Sequence, residues 1–96
     1  MRMKSMWTYK EALKYLSEIR TTLAKHGYEG SIIGSVEEQG HSTHDLDIEL
    51  IPKLNHRHQL HRLARALNAE LMEDFPVTME VIVGDKIVDF VIGDPE

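Results

Sequence analysis

Three aspartates carry the most chemical potential in this chain. Asp45 and Asp47 flank a single leucine in the alternating run Asp45-Leu46-Asp47-Ile48-Glu49-Leu50, and side chains two apart on a strand leave the same face about 7 Å apart. Both can therefore meet one ligand. Aspartate is a poor strand former, and two carboxylates about 4 Å apart repel by about 4 kcal/mol at an effective dielectric of 20. An intervening cation removes that penalty. Asp89 sits inside the apolar run Ile87-Val88-Asp89-Phe90-Val91-Ile92, where a solitary carboxylate is expensive to bury unless it is paired or metal-bound. If the strand of Asp89 lies beside that of Asp45, the three carboxylates share a site. Oxygen-only ligands that leave open positions favour magnesium or manganese, whose remaining positions a triphosphate can fill. A lone D-x-D pair reads more simply as solvated acids on an exposed strand face, and a lone Asp89 as the mark of an edge strand. The upstream Gly34-Ser35 changes that weighing, because glycine permits close backbone approach and the serine amide and hydroxyl can donate to phosphate oxygens.

The elements that must position these residues can be read from local pattern. Thr8-Tyr9-Lys10-Glu11 has capping-box spacing, and Tyr9, Ala12, Leu13, Leu16, Ile19 and Leu23 recur along one helical face. A helix over about 8–26 is expected, with Gly27 suited to its C-terminal cap. Ser31-Ile32-Ile33 reads as a short buried strand running into Gly34-Ser35 and a polar loop through His44. Leu46, Ile48 and Leu50 give the next strand one apolar face, its other face being acidic, and Pro52 stops it. After Asn55 as N-cap, Leu60, Leu63, Ala64, Leu67 and Leu71 form the stripe of a second helix ending before Phe75-Pro76, with Arg57, His58, His61, Arg62 and Arg65 on its polar side. Thr78 to Val83 and Lys86 to Ile92 are two β-branched runs joined by Gly84-Asp85, the pattern of a tight hairpin. The expected order is α-β-β-α-β-β. It implies an α/β (α+β) domain: a small mixed β-sheet, two helices packed on one face and the acidic site on or beside the other.

At 96 residues the chain has the size of one domain, 1–96, with room for a single core but not for a separate substrate domain. Apolar residues make up 42% and charged residues 28% of it, ordinary values for a soluble protein, with no run long enough for a membrane span. The N-terminal stretch has Arg2 and Lys4 but no apolar segment behind them, so it does not read as a secretory signal. A cytoplasmic location without membrane partners is expected. The absence of cysteine excludes disulfides and thiolate metal sites. A net charge of −5 argues against a surface built for nonspecific nucleic-acid binding.

The segment Gly34-Ser35, nine residues, then Asp45-Leu46-Asp47-Ile48 resembles the signature of the polymerase-beta-like nucleotidyltransferase superfamily, a strand-borne glycine-serine turn followed by D-x-D. Asp89 in Val88-Asp89-Phe90 occupies the position of that signature's third acid. The resemblance covers about residues 28–92, a core similar to the minimal nucleotidyltransferases that consist of little beyond this catalytic domain. It implies transfer of a nucleoside monophosphate from a nucleoside triphosphate, such as ATP, to an acceptor hydroxyl with release of pyrophosphate. Gly34 and Ser35 would hold the triphosphate, Asp45 and Asp47 would bind two Mg2+ or Mn2+ ions, and Asp89 would bind the ion nearer the nucleophile; Ser42, later in the loop, offers a further hydroxyl donor to the triphosphate. Many relatives carry an arginine just after the glycine-serine pair, where this chain has Glu37 and Glu38. The alternative reading is therefore a catalytically weak or inactive regulatory module on the same fold. Minimal members are often antitoxin halves of two-gene toxin systems, which implies a protein partner; an RNA acceptor is the other partner expected.

Other signals weigh less. His56-x-His58-x-x-His61 invites a transition-metal reading, but His56 falls well around the helical turn from the other two, and solvated histidines on a basic face are the commoner outcome. Arg57, Arg62 and Arg65 could touch RNA or an acidic partner, although charge on the solvent side of an amphipathic helix is commonplace. Glu49 could assist a metal through water or simply face solvent. Trp7 and Tyr9 are expected to pack at the first helix or at a subunit contact.

Overall fold

The computed structural model describes residues 7–34, 41–42, 45–54, 56–74 and 76–93. A two-residue strand β1 (Trp7–Thr8) leads into helix α1 (Tyr9–Lys25), followed by β2 (Tyr28–Ile33), the short β3 (His41–Ser42) and β4 (Leu46–Pro52). Helix α2 (Leu60–Leu67), β5 (Glu70–Met72), β6 (Thr78–Val83) and β7 (Lys86–Ile92) complete the order. The main sheet has five strands ordered β2-β4-β7-β6-β5, in which β4 and β7 run parallel and the other pairs antiparallel. β1 pairs separately with β3.

The start of α1 is set by the capping box. The Glu11 amide donates to Thr8 Oγ1 at 3.1 Å and the Thr8 amide donates to Glu11 Oε1 at 3.0 Å, which satisfies two of the N–H groups that a helix start leaves orphaned. The same corner is tied to the hairpin. Trp7 is buried and its indole Nε1 donates to the Ile87 carbonyl at 3.1 Å, while Lys86 Nζ lies 2.9 Å from Glu11 Oε1 and 5.0 Å from the Trp7 ring centre. Tyr9 is exposed. At the other end of α1 the chain turns through Gly27 at φ +89°, a left-handed conformation that costs glycine least.

Leu46, Ile48 and Leu50 on β4 and Val88 and Phe90 on β7 are fully buried, and they form one core with Ala12, Leu16, Ile19 and Leu23 of α1 and Leu63 and Ala64 of α2. Both helices thus cover the same sheet face, as the alternation implied. The alternate residues of β4 and β7, Asp47, Glu49 and Asp89, are left half-buried on the opposite face. Among the described residues no helix is long and apolar enough to cross a membrane.

The second helix is shorter than its apolar stripe suggested, and it begins later. The expected N-cap Asn55 lies outside the described residues, and residues 56–59 precede the helix rather than form its first turn. They are held across the end of α1: Gln59 N donates to the His26 carbonyl at 3.1 Å, His58 Nε2 lies 2.7 Å from the Lys53 carbonyl, and the His58 ring packs on Tyr28. These contacts hold the segment off α-geometry. At the far end, Asn68 adopts φ 59° and closes α2, a conformation that asparagine tolerates better than most residues. Leu71, read as the last residue of the stripe, instead lies on β5, where Glu70, Leu71 and Met72 pair with Glu80, Met79 and Thr78. β1, β3 and β5 all escape the pattern. Strands of two or three residues carry too few alternations to be read.

Candidate active site

The acidic face is built by strand register. In the parallel pair, Asp47 of β4 stands beside Asp89 of β7. The hairpin turn Gly84-Asp85 sets Glu80 of β6 against Asp89, and Glu70 of β5 stands against Glu80. Glu70, Glu80, Asp89 and Asp47 therefore form an unbroken cross-strand row, in which directly opposed like charges are destabilising. Asp45, two residues before Asp47 and just ahead of β4, projects on the same side. Carboxylate oxygens of Asp45, Glu80 and Asp89 all lie within 4.8 Å of one another.

Asp47 takes a different place. Its carboxylate faces the turn after β2, so that a Cβ on Gly34 would lie 2.8 Å from Asp47 Oδ2. Gly34 itself has φ +82°, and both facts require glycine there. Ser35 lies outside the described residues, as do Glu37 and Glu38, and Ser42 is on β3. Among the residues expected to act, the structure thus brings Asp45 and Asp89 into one cluster and sets Asp47 beside Asp89 in the row and against Gly34. It also adds Glu80, which sequence reasoning passed over. The signal was present in the hairpin: a two-residue turn pairing Val83 with Lys86 must pair Glu80 with Asp89. Glu49 lies apart from this group, its Oε2 2.8 Å from where a Cβ on Gly93 would be.

Burial, and after it the like charge of neighbouring acids, raises the carboxyls of this face. Burial raises the Asp89 carboxyl from its ordinary 3.8 to about 7, helped by a hydrogen bond from its protonated form to Asp45 and by the charges of Asp45, Glu80 and Asp47. Asp47 is raised as well, first by burial and then by the Asp45 charge. The ion pairs of the described residues, His61 with Glu73 and Lys86 with Glu11, leave these acids without a cationic partner. Clustered, unneutralised carboxylates are the donor set of a hard divalent cation. The set fits such an ion by chemistry and by spacing.

His56, His58 and His61 do not make a second centre. His56 Nδ1 lies 3.0 Å from the Leu54 carbonyl, His58 is occupied by Lys53 and Tyr28, and His61 pairs with Glu73 at 3.1 Å. Among the described residues the only His, Asp and Glu side chains that converge on a common point are Asp45, Glu80 and Asp89. Arg57, Arg62 and Arg65 are exposed, the last two on a helix whose Leu63 and Ala64 pack into the core on the other side of the sheet from the acids.

No protein-family model matches the sequence, and neither does any curated protein. Solved structures do match the fold. The polymerase beta of Leishmania infantum in its ternary gap complex superposes with a TM-score of 0.68 over 95% of this chain, at 14% identity. Its ternary P/T complex gives 0.67 over 97%, also at 14% identity. The chain spans 39% and 45% of those two polymerase chains. The α+β fold expected from the glycine-serine turn and the D-x-D pair is thus the fold that this chain has, with a mixed five-stranded sheet and both helices on one face.

Proposed function

We propose, starting from a polymerase-beta fold with a row of carboxylates on its open sheet face, that this chain is a metal-dependent nucleotidyltransferase. It moves a nucleoside monophosphate from a nucleoside triphosphate to an acceptor hydroxyl and releases pyrophosphate. The observation that carries this reading is the convergence of Asp45 and Asp89 on the face where Asp47 meets the Gly34 turn. Asp45 and Asp47 hold Mg2+ or Mn2+, Asp89 serves the acceptor side, and Gly34, Ser35 and Ser42 receive the triphosphate. When bound, such ions neutralise phosphate charge and make the acceptor oxygen a better nucleophile.

The contribution of the chain itself is placement. The close packing of Asp47 on Gly34 sets the distance between acids and phosphate-binding turn, and a positioning effect of this kind supplies much of the acceleration in reactions that need two partners aligned. Asp89 carries a proton below about pH 7 and must lose it to act as a ligand. Nucleoside triphosphates are held in the cytoplasm, where we place the protein. A second reading, a regulatory module that keeps the fold without efficient catalysis, is favoured by Glu37 and Glu38 in the loop after the phosphate turn, since acids facing a triphosphate would repel it. That module would act through a protein partner, whereas the enzyme would modify a protein or RNA acceptor.

Incubating the protein with each α-labelled triphosphate, magnesium and host lysate tests the choice. Transfer of label to any acceptor, abolished in Asp45→Asn, supports the enzyme. Failure with all four triphosphates, in protein that still binds manganese, refutes it in favour of the regulatory module.

A further inference from the structure

We propose that Glu80 is a fourth acid of the metal site, so that Asp45, Glu80 and Asp89 together hold one divalent cation before any nucleotide arrives, while Asp47 belongs to the triphosphate side. The inference deepens the reading of this face as a metal site and rests on it. It begins with spacing. Oxygens of the three side chains lie within 4.8 Å of one another, while oxygens around a six-coordinate magnesium at about 2.1 Å are about 3 Å apart on neighbouring positions and about 4.2 Å apart on opposite ones. Small side-chain rotations close that difference. Asp47 is absent from the group because its carboxylate is turned against Gly34.

Register supplies the second step. Glu80 stands directly opposite Asp89 on an antiparallel pair, where facing carboxylates are destabilising, and Glu70 on its other side adds a third acid to the row. None has a cationic partner among the described residues. Glu80 is exposed and long enough to turn away into solvent, yet one of its oxygens is within reach of both Asp45 and Asp89. Three carboxylates, from β6, from β7 and from the residue just ahead of β4, exceed the charge of one divalent ion, so the site retains a cation without help from phosphate. Two carboxylates alone depend more heavily on the triphosphate to complete the set. The expected consequence is an order of events: cation first at Asp45, Glu80 and Asp89, then the nucleotide with its own cation at Asp47.

The experiment is a Mn2+ titration of the nucleotide-free full chain, followed by the paramagnetic resonance of free Mn2+, at low and high salt. Parent, Glu80→Gln and Glu70→Gln are compared; the last removes the same charge one strand further out. The parent should bind one Mn2+ per chain, and Glu80→Gln should weaken that binding at least tenfold, the range seen when groups that orient metal ligands are removed. The loss should persist at high salt, which screens exposed charges beyond about one Debye length but not a direct ligand. Glu70→Gln should change affinity far less. Equal losses in both glutamine variants that vanish together at high salt would overturn the proposal, because Glu80 would then act only through space. No Mn2+ binding by the nucleotide-free parent would overturn it as well. Label transfer judges the nucleotidyltransferase reading separately: Glu80-dependent Mn2+ binding without transfer upholds the inference and refutes the enzyme, and transfer with Mn2+ affinity indifferent to Glu80 does the reverse.

Discussion

Neutralising Asp89 should make the metal-free protein more stable at alkaline pH and leave it unchanged in acid. Folding raises this carboxyl from 3.8 to about 7, so between those values the folded chain binds a proton that the unfolded chain has released. Stability contributed by the group is therefore complete below about pH 4 and is lost as pH rises through about 7. At about 1.4 kcal/mol per pKa unit the full rise corresponds to about 4 kcal/mol, but Asp89 is only partly buried and solvent screening reduces this to about 1–2 kcal/mol. The asparagine of an Asp89→Asn variant cannot ionise, yet its amide can donate to Asp45 as the protonated acid does. The variant should match the parent near pH 4 and exceed it by about 1–2 kcal/mol at pH 8, or several degrees in Tm for a domain of this size. Urea and thermal unfolding of both proteins in chelator, at matched ionic strength across pH 4–8, measure the difference. In the parent, Mn2+ at 100 times its dissociation constant should then restore about 2.7 kcal/mol, most of which Asp89→Asn should forfeit. Parallel pH–stability curves for the two proteins would show that the acids do not crowd, and the electrostatic reasoning would fall with them.

Asp47→Asn should likewise leave the metal-free protein no less stable than the parent, but in an active enzyme it should impair triphosphate binding, read by equilibrium dialysis, more than Asp89→Asn does. Asp89→Asn, conversely, should reduce turnover by orders of magnitude with triphosphate binding comparatively intact, a separation that single-turnover label transfer resolves. Gly34→Ala forces a side chain into φ +82° and to 2.8 Å from Asp47 Oδ2; unfolding in urea should show a loss of about 1–2 kcal/mol or more, and an unchanged midpoint would mean that the turn relaxes freely. Thr8→Ala removes one half of the capping box and should cost about 0.5–2 kcal/mol by the same measurement, leaving Mn2+ affinity untouched because α1 lies on the far side of the sheet.

Local chemistry determined a good deal of this protein. The capping box set the start of α1, Gly27 its end, alternation the faces of β4 and β7, and the pair Gly84-Asp85 the hairpin; each signal acts over a few residues and needs nothing distant to be decided. The same alternation separated a greasy face from an acidic one, so that Asp45, Asp47 and Asp89 could be singled out as acids in unfavourable settings. Tertiary structure decided how they meet. Parallel pairing of β4 with β7 sets Asp47 beside Asp89, and no local pattern encodes it, because it follows from burying Leu46, Ile48, Val88 and Phe90 together beneath two helices. Packing also overrode pattern in α2, whose apolar stripe ran on to Leu71 while the Asn68 turn and the free edge of β6 drew Glu70, Leu71 and Met72 into a strand. Glu80 lay between these cases. Its partner across the hairpin was calculable from the turn, but its closeness to Asp45 required β4 to arrive on the other side of β7, a contact between distant segments that only the assembled sheet supplies.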